Sequence, residues 1–144
     1  MSLFDLHSHP ETLKYYDKRF MVPEIAFKEA RRLWTEEHKR KDELEIALAK
    51  DFHWAYLYAF NVINQRFLLA EPTIAKDPHS AYMYASVVVK GRWVEGELAI
   101  AENAFVSTMY AKHVLKDRFP LGEPAIKNCG GWKQEYEKHF EVKI

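Results

Sequence analysis

Residues 90–100 read KGRWVEGELAI, and residues 116–126 read KDRFPLGEPAI. The 26-residue step between them extends in both directions. Arg40, Arg66, Arg92 and Arg118 keep it, as do Glu45, Glu71, Glu97 and Glu123, and Tyr58, Tyr84, Tyr110 and Tyr136. Ala59, Ala85 and Ala111 directly follow the first three tyrosines, and Phe67, Trp93 and Phe119 directly follow three of the arginines. Self-similarity at such a period is the signature of a repeat architecture, in which each unit buries its apolar face only by stacking on the next.

Each unit reads as a long helix and a short one. Ala81, Tyr84, Ala85, Val88 and Val89 fall at i, i+3, i+4, i+7 and i+8, the spacing of one helical face. Asp77 before Pro78 supplies a capping acceptor and a first-turn proline, and Gly91 is the expected terminator. A shorter helix is expected from about Glu95 to Asn103. No strand-type alternation occurs, so the predicted fold is all-α: a short α-solenoid of helix pairs with a 26-residue period and degenerate terminal repeats.

The expected organisation is a single domain over 1–144. Residues 1–44 form its degenerate N-terminal part, 45–126 the clear repeats and 127–144 a C-terminal cap. In the first part Arg19, Phe20 and Glu24 repeat the corner spacing, and Pro10 opens a helix reaching Tyr15 and Tyr16. The stretch PEIAFKEARRLWTEEHK then reads as one fused helix with Ala26, Ala30, Leu33 and Trp34 on a common face. In the last part Lys133, Glu137 and Glu141 replace Ala81, Ala85 and Val89, so residues 132–141 are expected to turn that charged face to solvent.

Composition narrows the function classes. A chain of 144 residues that is 48% hydrophobic can bury a core of its own. Twenty-one basic residues balance 21 acidic ones, leaving no overall field to gather nucleic acid or an acidic membrane surface. The single cysteine, Cys129, fits a reducing compartment. No apolar run approaches the roughly 18 residues of a membrane span, and the first ten residues lack signal-peptide character. A soluble cytoplasmic protein is the expectation.

The segments SAYMYASVVVKGRWVEGELAI, STMYAKHVLKDRFPLGEPAI and, more loosely, AYLYAFNVINQRFLLAEPTI resemble tandem units of the form A-x-x-YA-x-x-V-L-K-x-RFPEGE-x-x-I that recur in uncharacterised bacteriophage and bacterial proteins. The resemblance spans residues 45–126. It implies an α-helical array, a phage gene and a host-cell cytoplasmic location, and it transfers no activity and no catalytic residue.

Candidate chemistry is sparse. Arg66 with Glu71, Arg92 with Glu97 and Arg118 with Glu123 read as structural corner pairs, since each arginine travels with its own carboxylate; a row of phosphate ligands is the functional alternative. Asp5, His7 and His9 in DLHSHP have the D-x-H-x-H pattern that opens the metal site of the polymerase-and-histidinol-phosphatase superfamily. The chain lacks the further ligands and strands such a hydrolase needs, so this stays a lesser alternative. His53 with His79, and His113 with His139, occupy equivalent repeat positions and read as hydrogen-bonding imidazoles before metal ligands. Cys129 has no partner base at a meaningful spacing. Arg31, Arg32, Lys39, Arg40 and Lys41 of the 28–43 helix form the one basic cluster, and Glu29, Glu36, Glu37, Asp42 and Glu43 neutralise it, which makes nucleic acid an alternative partner only. No catalytic residue, metal or cofactor is predicted.

The remaining surface is that of a protein-binding or scaffolding module directed at a host or phage protein, or at a second copy of the chain. Opposite the core face of the long helices lie Leu57, Met83 and Met109, flanked by His53, His79 and Phe105. Left exposed, they form an apolar stripe suited to a protein partner. Covered by the short helices, they form a second core layer, and the contact surface moves to Tyr56, Tyr82 and the loop edges.

Overall fold

The computed structural model describes residues 22–144, which contain helices and no strand. Helix α1 spans Pro23–Glu37 and α2 spans Asp42–Leu48. Long helices follow as α3 (Phe52–Leu57), α5 (Pro78–Tyr84) and α7 (Ala104–Tyr110), and each continues into a π-helical segment: Tyr58–Ile63, Ala85–Val89 and Ala111–Leu115. Short helices α4 (Glu71–Ile74), α6 (Glu97–Ala101) and α8 (Glu123–Lys127) alternate with them, and α9 (Gly130–Phe140) comes last.

Local chemistry sets where the long helices begin and end. The side chain of Asp51 accepts from the His53 and Trp54 N–H groups, Asp77 accepts from Ser80, and Asn103 accepts from Val106. Such a cap contributes about 1 kcal/mol. Termination differs from the sequence expectation. The left-handed residue is Lys90 (φ 59°), with Asn64 and Lys116 at the equivalent positions, and Gly91 has an ordinary φ. The N–H of the next residue (Gln65, Gly91 or Asp117) closes the turn on the carbonyl of Ala59, Ala85 or Ala111, at 3.2, 3.1 and 3.2 Å. The π segment also corrects the predicted face. Ala81, Tyr84 and Ala85 are fully buried, whereas Val88 and Val89 are half-buried, because the wider turn rotates them off the 100° spacing.

Recurring positions supply the core. Leu48, Ile74, Ile100 and Ile126 come from the short helices, and Tyr58, Tyr84, Tyr110 and Tyr136 from the long ones and α9; none is more than 1% exposed. Each such apolar side chain stabilises by about 1.5–3 kcal/mol on burial. Helix α1 matches the fused helix read from the sequence and buries Ala26, Phe27, Ala30 and Leu33. It stops at Glu37, where His38 turns left-handed, so the predicted 28–43 helix is broken and Arg40 and Lys41 lie beyond α1. The expectations for Pro10, Tyr15, Tyr16, Arg19 and Phe20 lie outside the described residues. Glu24 is on α1, paired with Lys28 at 3.2 Å.

On the face expected to turn to solvent, Glu141 is exposed, and Lys133 and Glu137 are half-buried. Residues 142–144 fold back over α9, and Val142 and Ile144 pack on the edge of the core. The Glu137 side chain is left 11% exposed, accepting from the Ile144 N–H at 3.0 Å and pairing with Lys143 and Lys133 at 3.5 and 3.9 Å. Glu137 and Lys133 are thus paired within the chain.

At the corners, ring size and backbone space vary together. Phe67 is three residues before Ala70, Trp93 three before Gly96 and Phe119 three before Gly122. A Cβ on Gly96 would lie 2.6 Å from the Trp93 ring, and one on Gly122 would lie 2.5 Å from both the Phe119 ring and the Ser107 hydroxyl. The larger indole and the extra hydroxyl therefore each need a glycine where the first corner holds alanine. Trp93 has a cost: its indole N–H is buried without a partner. Gly96→Ala is expected to destabilise the protein by about 1–3 kcal/mol through overpacking. Adding Trp93→Phe should recover part of that loss, since Phe67 coexists with Ala70 whereas a Cβ at Gly122 would still meet the Phe119 ring. Urea denaturation of the two single variants and the double variant gives the coupling.

Candidate functional site

Four corners share one constellation. Arg40, Arg66, Arg92 and Arg118 each donate through Nε and Nη2 to both oxygens of Glu45, Glu71, Glu97 and Glu123. At the third corner these bonds are 2.8 and 3.1 Å. The tyrosine of the next helix then reaches the same carboxylate. The Tyr58, Tyr84, Tyr110 and Tyr136 hydroxyls donate to Oε1 of the four glutamates at 2.7, 2.7, 3.0 and 2.8 Å. Three of these hydroxyls also accept a backbone N–H: Tyr84 from Phe67 at 2.8 Å, Tyr110 from Trp93 at 3.0 Å and Tyr136 from Phe119 at 2.8 Å.

The clasp is asymmetric in burial. The Glu97 side chain is 7% exposed and that of Arg92 63%. Most of the ion-pair attraction is therefore screened at the arginine end, and the carboxylate is the group that cannot lose its partners. Charge-assisted bonds to carboxylates are shorter and stronger than neutral ones. Burial, followed by contact with its glutamate, pushes the Tyr84 phenol far above its ordinary range. Burial does the same for Tyr110, and it pushes Tyr136 up to about 12. The Glu123 carboxyl is held below its ordinary 4.5, chiefly by the Arg118 hydrogen bonds. Both oxygens of each glutamate and each tyrosine hydroxyl bond within the clasp, so the constellation fastens helices.

Exposure varies along the predicted stripe. Met83 is 36% exposed, Phe105, His53 and His79 are exposed or nearly so, and Leu57, Met109, Tyr56 and Tyr82 are half-buried. Rings gather along it: His79 lies 6.3 Å from Phe105, Phe105 lies 4.9 Å from Trp132, and Tyr56 stacks on Phe60. A more exposed apolar set, absent from the sequence reading, lies on the short helices and the turns leading into them. Leu98 is 74% exposed and Leu68 67%, and Val94, Leu69, Ile46 and Leu121 are all about half exposed or more. Leu68 and Val94 are one repeat step apart, and Ile46 with Leu98 and Leu69 with Leu121 are two steps apart.

Among the described residues the remaining candidates stand apart from one another. Among the described residues no group of three or more His, Cys, Asp or Glu side chains is placed to hold a metal ion. His53 lies against Trp54 and His139 against Phe140. Asp5, His7 and His9 lie outside the described residues. Arg32 is held by Glu29 and Glu36, and Lys39 by Glu37. No described helix is long and apolar enough to cross a membrane. No protein-family model matches the chain, and neither a curated protein nor a solved structure was found to be similar to it.

Tyr110→Phe removes the acceptor of the Trp93 N–H and one donor to Glu97, and should cost about 1–3 kcal/mol in urea denaturation, more than Arg92→Ala costs. Alkaline titration gives a second expectation. A tyrosine whose folded pKa is raised adds stability that is fully present below its unfolded value of 10.0 and is lost as pH rises through its folded value, from about 12 for Tyr136 upward. Unfolding and the tyrosinate absorbance of these residues should therefore appear together above pH 10. On the acid side, stability present above pH 4.5 is lost as the depressed Glu123 carboxyl protonates.

Proposed function

We propose that the chain is a short α-solenoid of helix pairs with a 26-residue period, acting as a protein-binding or scaffolding module through its short-helix face. The recurrence of the Arg–Glu–Tyr clasp supports the architecture. The resemblance of residues 45–126 to repeats of bacteriophage and bacterial proteins supports a host or phage protein as partner.

The observation that carries the proposal is the exposure of Leu68, Leu69, Val94, Leu98 and Leu121. Packed helices lie about 8–10 Å apart, so equivalent positions of successive units align into rows. One row is Ile46, Pro72, Leu98 and Pro124; its neighbour is Leu68, Val94 and Pro120. Monomers rarely leave contiguous apolar patches of more than a few hundred Å² uncovered, and larger ones mark interaction sites.

A third set of positions favours a foreign partner over a second copy. It alternates Glu43, Leu69, Glu95 and Leu121. An antiparallel copy would set Glu95 against Leu69 and Glu43 against Leu121, desolvating carboxylates on apolar side chains. A foreign protein with cationic groups among its apolar contacts avoids that cost.

Leu68→Glu with Leu98→Glu should leave thermal stability nearly unchanged, because both positions are exposed. The pair should weaken association with the partner by at least tenfold, while Met83→Gln with Met109→Gln leaves it intact. Calorimetric titration against the partner, with sedimentation of the chain alone, checks this. Loss that follows the methionine pair, or self-association abolished by Leu98→Glu, would overturn the assignment.

A further inference from the structure

Two grooves open between the π-helical ends of successive long helices, and they occupy the same frame one unit apart. The first, about 260 Å³, is lined by Ala59, Phe60, Asn64, Val87, Val88 and Lys90. The second, about 180 Å³, is lined by Ser86, Lys90, Gly91, His113, Val114 and Lys116. Advancing the first by 26 residues turns Phe60 into Ser86, Asn64 into Lys90 and Val87 into His113, while Val88 becomes Val114 and Lys90 becomes Lys116. Three side chains change, and each change replaces an apolar or neutral group by a hydrogen-bonding or cationic one.

The second groove consequently carries two lysines without counter-charge. No carboxylate lines it, and among the described residues the Lys90, Lys116 and His113 side chains have no hydrogen-bond or ion-pair partner. Both lysines hold the left-handed conformation (φ 59° and 55°), which asparagine, present at Asn64, adopts at lower cost. A cation at a helix C-terminus complements the helix dipole, which accounts for one lysine per helix end. It does not account for His113 and Ser86 standing where the sister groove has Val87 and Phe60. We propose that this groove binds a phosphoryl dianion, with Lys90 and Lys116 as charge partners and the Ser86 hydroxyl and the His113 ring as hydrogen-bond donors. Its size admits a phosphoryl group and the first atoms of an ester, and falls short of the roughly 300 Å³ of pockets that enclose larger ligands. The inference is independent of the short-helix face, since the groove lies between the ends of long helices.

The test is an amide NMR titration of the full chain with inorganic phosphate and, in parallel, with a phosphoserine tripeptide, at ionic strength held constant with chloride. Saturable shifts are expected at Gly91, His113 and Lys116, with none at Phe60 or Asn64. Ser86→Phe with His113→Val, which installs the side chains of the sister groove, should weaken binding at least tenfold with an unchanged melting temperature; Lys116→Asn, which gives this helix end the residue found at Asn64, should weaken it as well. Tighter binding of the tripeptide identifies an esterified phosphate as the ligand, and equal binding identifies free phosphate. Shifts that do not saturate, that spread to Lys76 and Lys127, or that persist at wild-type affinity in the Ser86/His113 variant would overturn the proposal.

Discussion

A buried backbone N–H at three of the four interhelical corners sets the requirement from which the rest follows. The amides of Phe67, Trp93 and Phe119 point inward where the chain turns into a short helix, and none has a helical carbonyl to bond. A tyrosine hydroxyl from the following long helix or α9 accepts each of them. That hydroxyl must place its own hydrogen, and a glutamate oxygen takes it. The buried carboxylate in turn needs a counter-charge, and an arginine at the edge of solvent supplies it. The chain of needs runs from amide to phenol to carboxylate to guanidinium, and it ties each long helix to the corner of the unit before it.

Because the motif recurs, the molecule contains its own substitution series. Phe67, Trp93 and Phe119 occupy one site, and the residue three further on answers as Ala70, Gly96 or Gly122 according to the bulk it meets. The grooves form a second series, in which Phe60, Asn64 and Val87 give way to Ser86, Lys90 and His113. Within a fixed frame, differences of this kind separate what packing demands from what is free to change. The clasps are on the first side of that division, and the exposed Leu68, Val94 and Leu98 and the lysine-lined groove are on the second.

The helices and the corner pairs were legible because their signals are long. Arg92 and Glu97 recur with their spacing intact, and Asp77 before Pro78 is a helix start by chemistry alone. The hydroxyl role of the tyrosines was written in the constant 13-residue step from Glu97 to Tyr110, but periodicity registers Tyr110 only as a core-face residue. The π turn escaped because Val87, Val88 and Val89 are apolar throughout and carry no phase to reveal a wider helix. Gly91 masked Lys90, since glycine is the usual left-handed residue and lysine is not. The short-helix row was missed because the few residues of a helix such as Glu71–Ile74 cannot show a face, and the fold-back of Val142 and Ile144 because so short a tail holds no pattern at all.

Native-state hydrogen exchange at three amides tests the clasp most directly. If the tyrosine hydroxyls accept them, the Phe67, Trp93 and Phe119 N–H groups should exchange as slowly as amides inside the long helices, although all three residues lie outside any helix. Exchange of these amides at the rate of the exposed turn residues would contradict it.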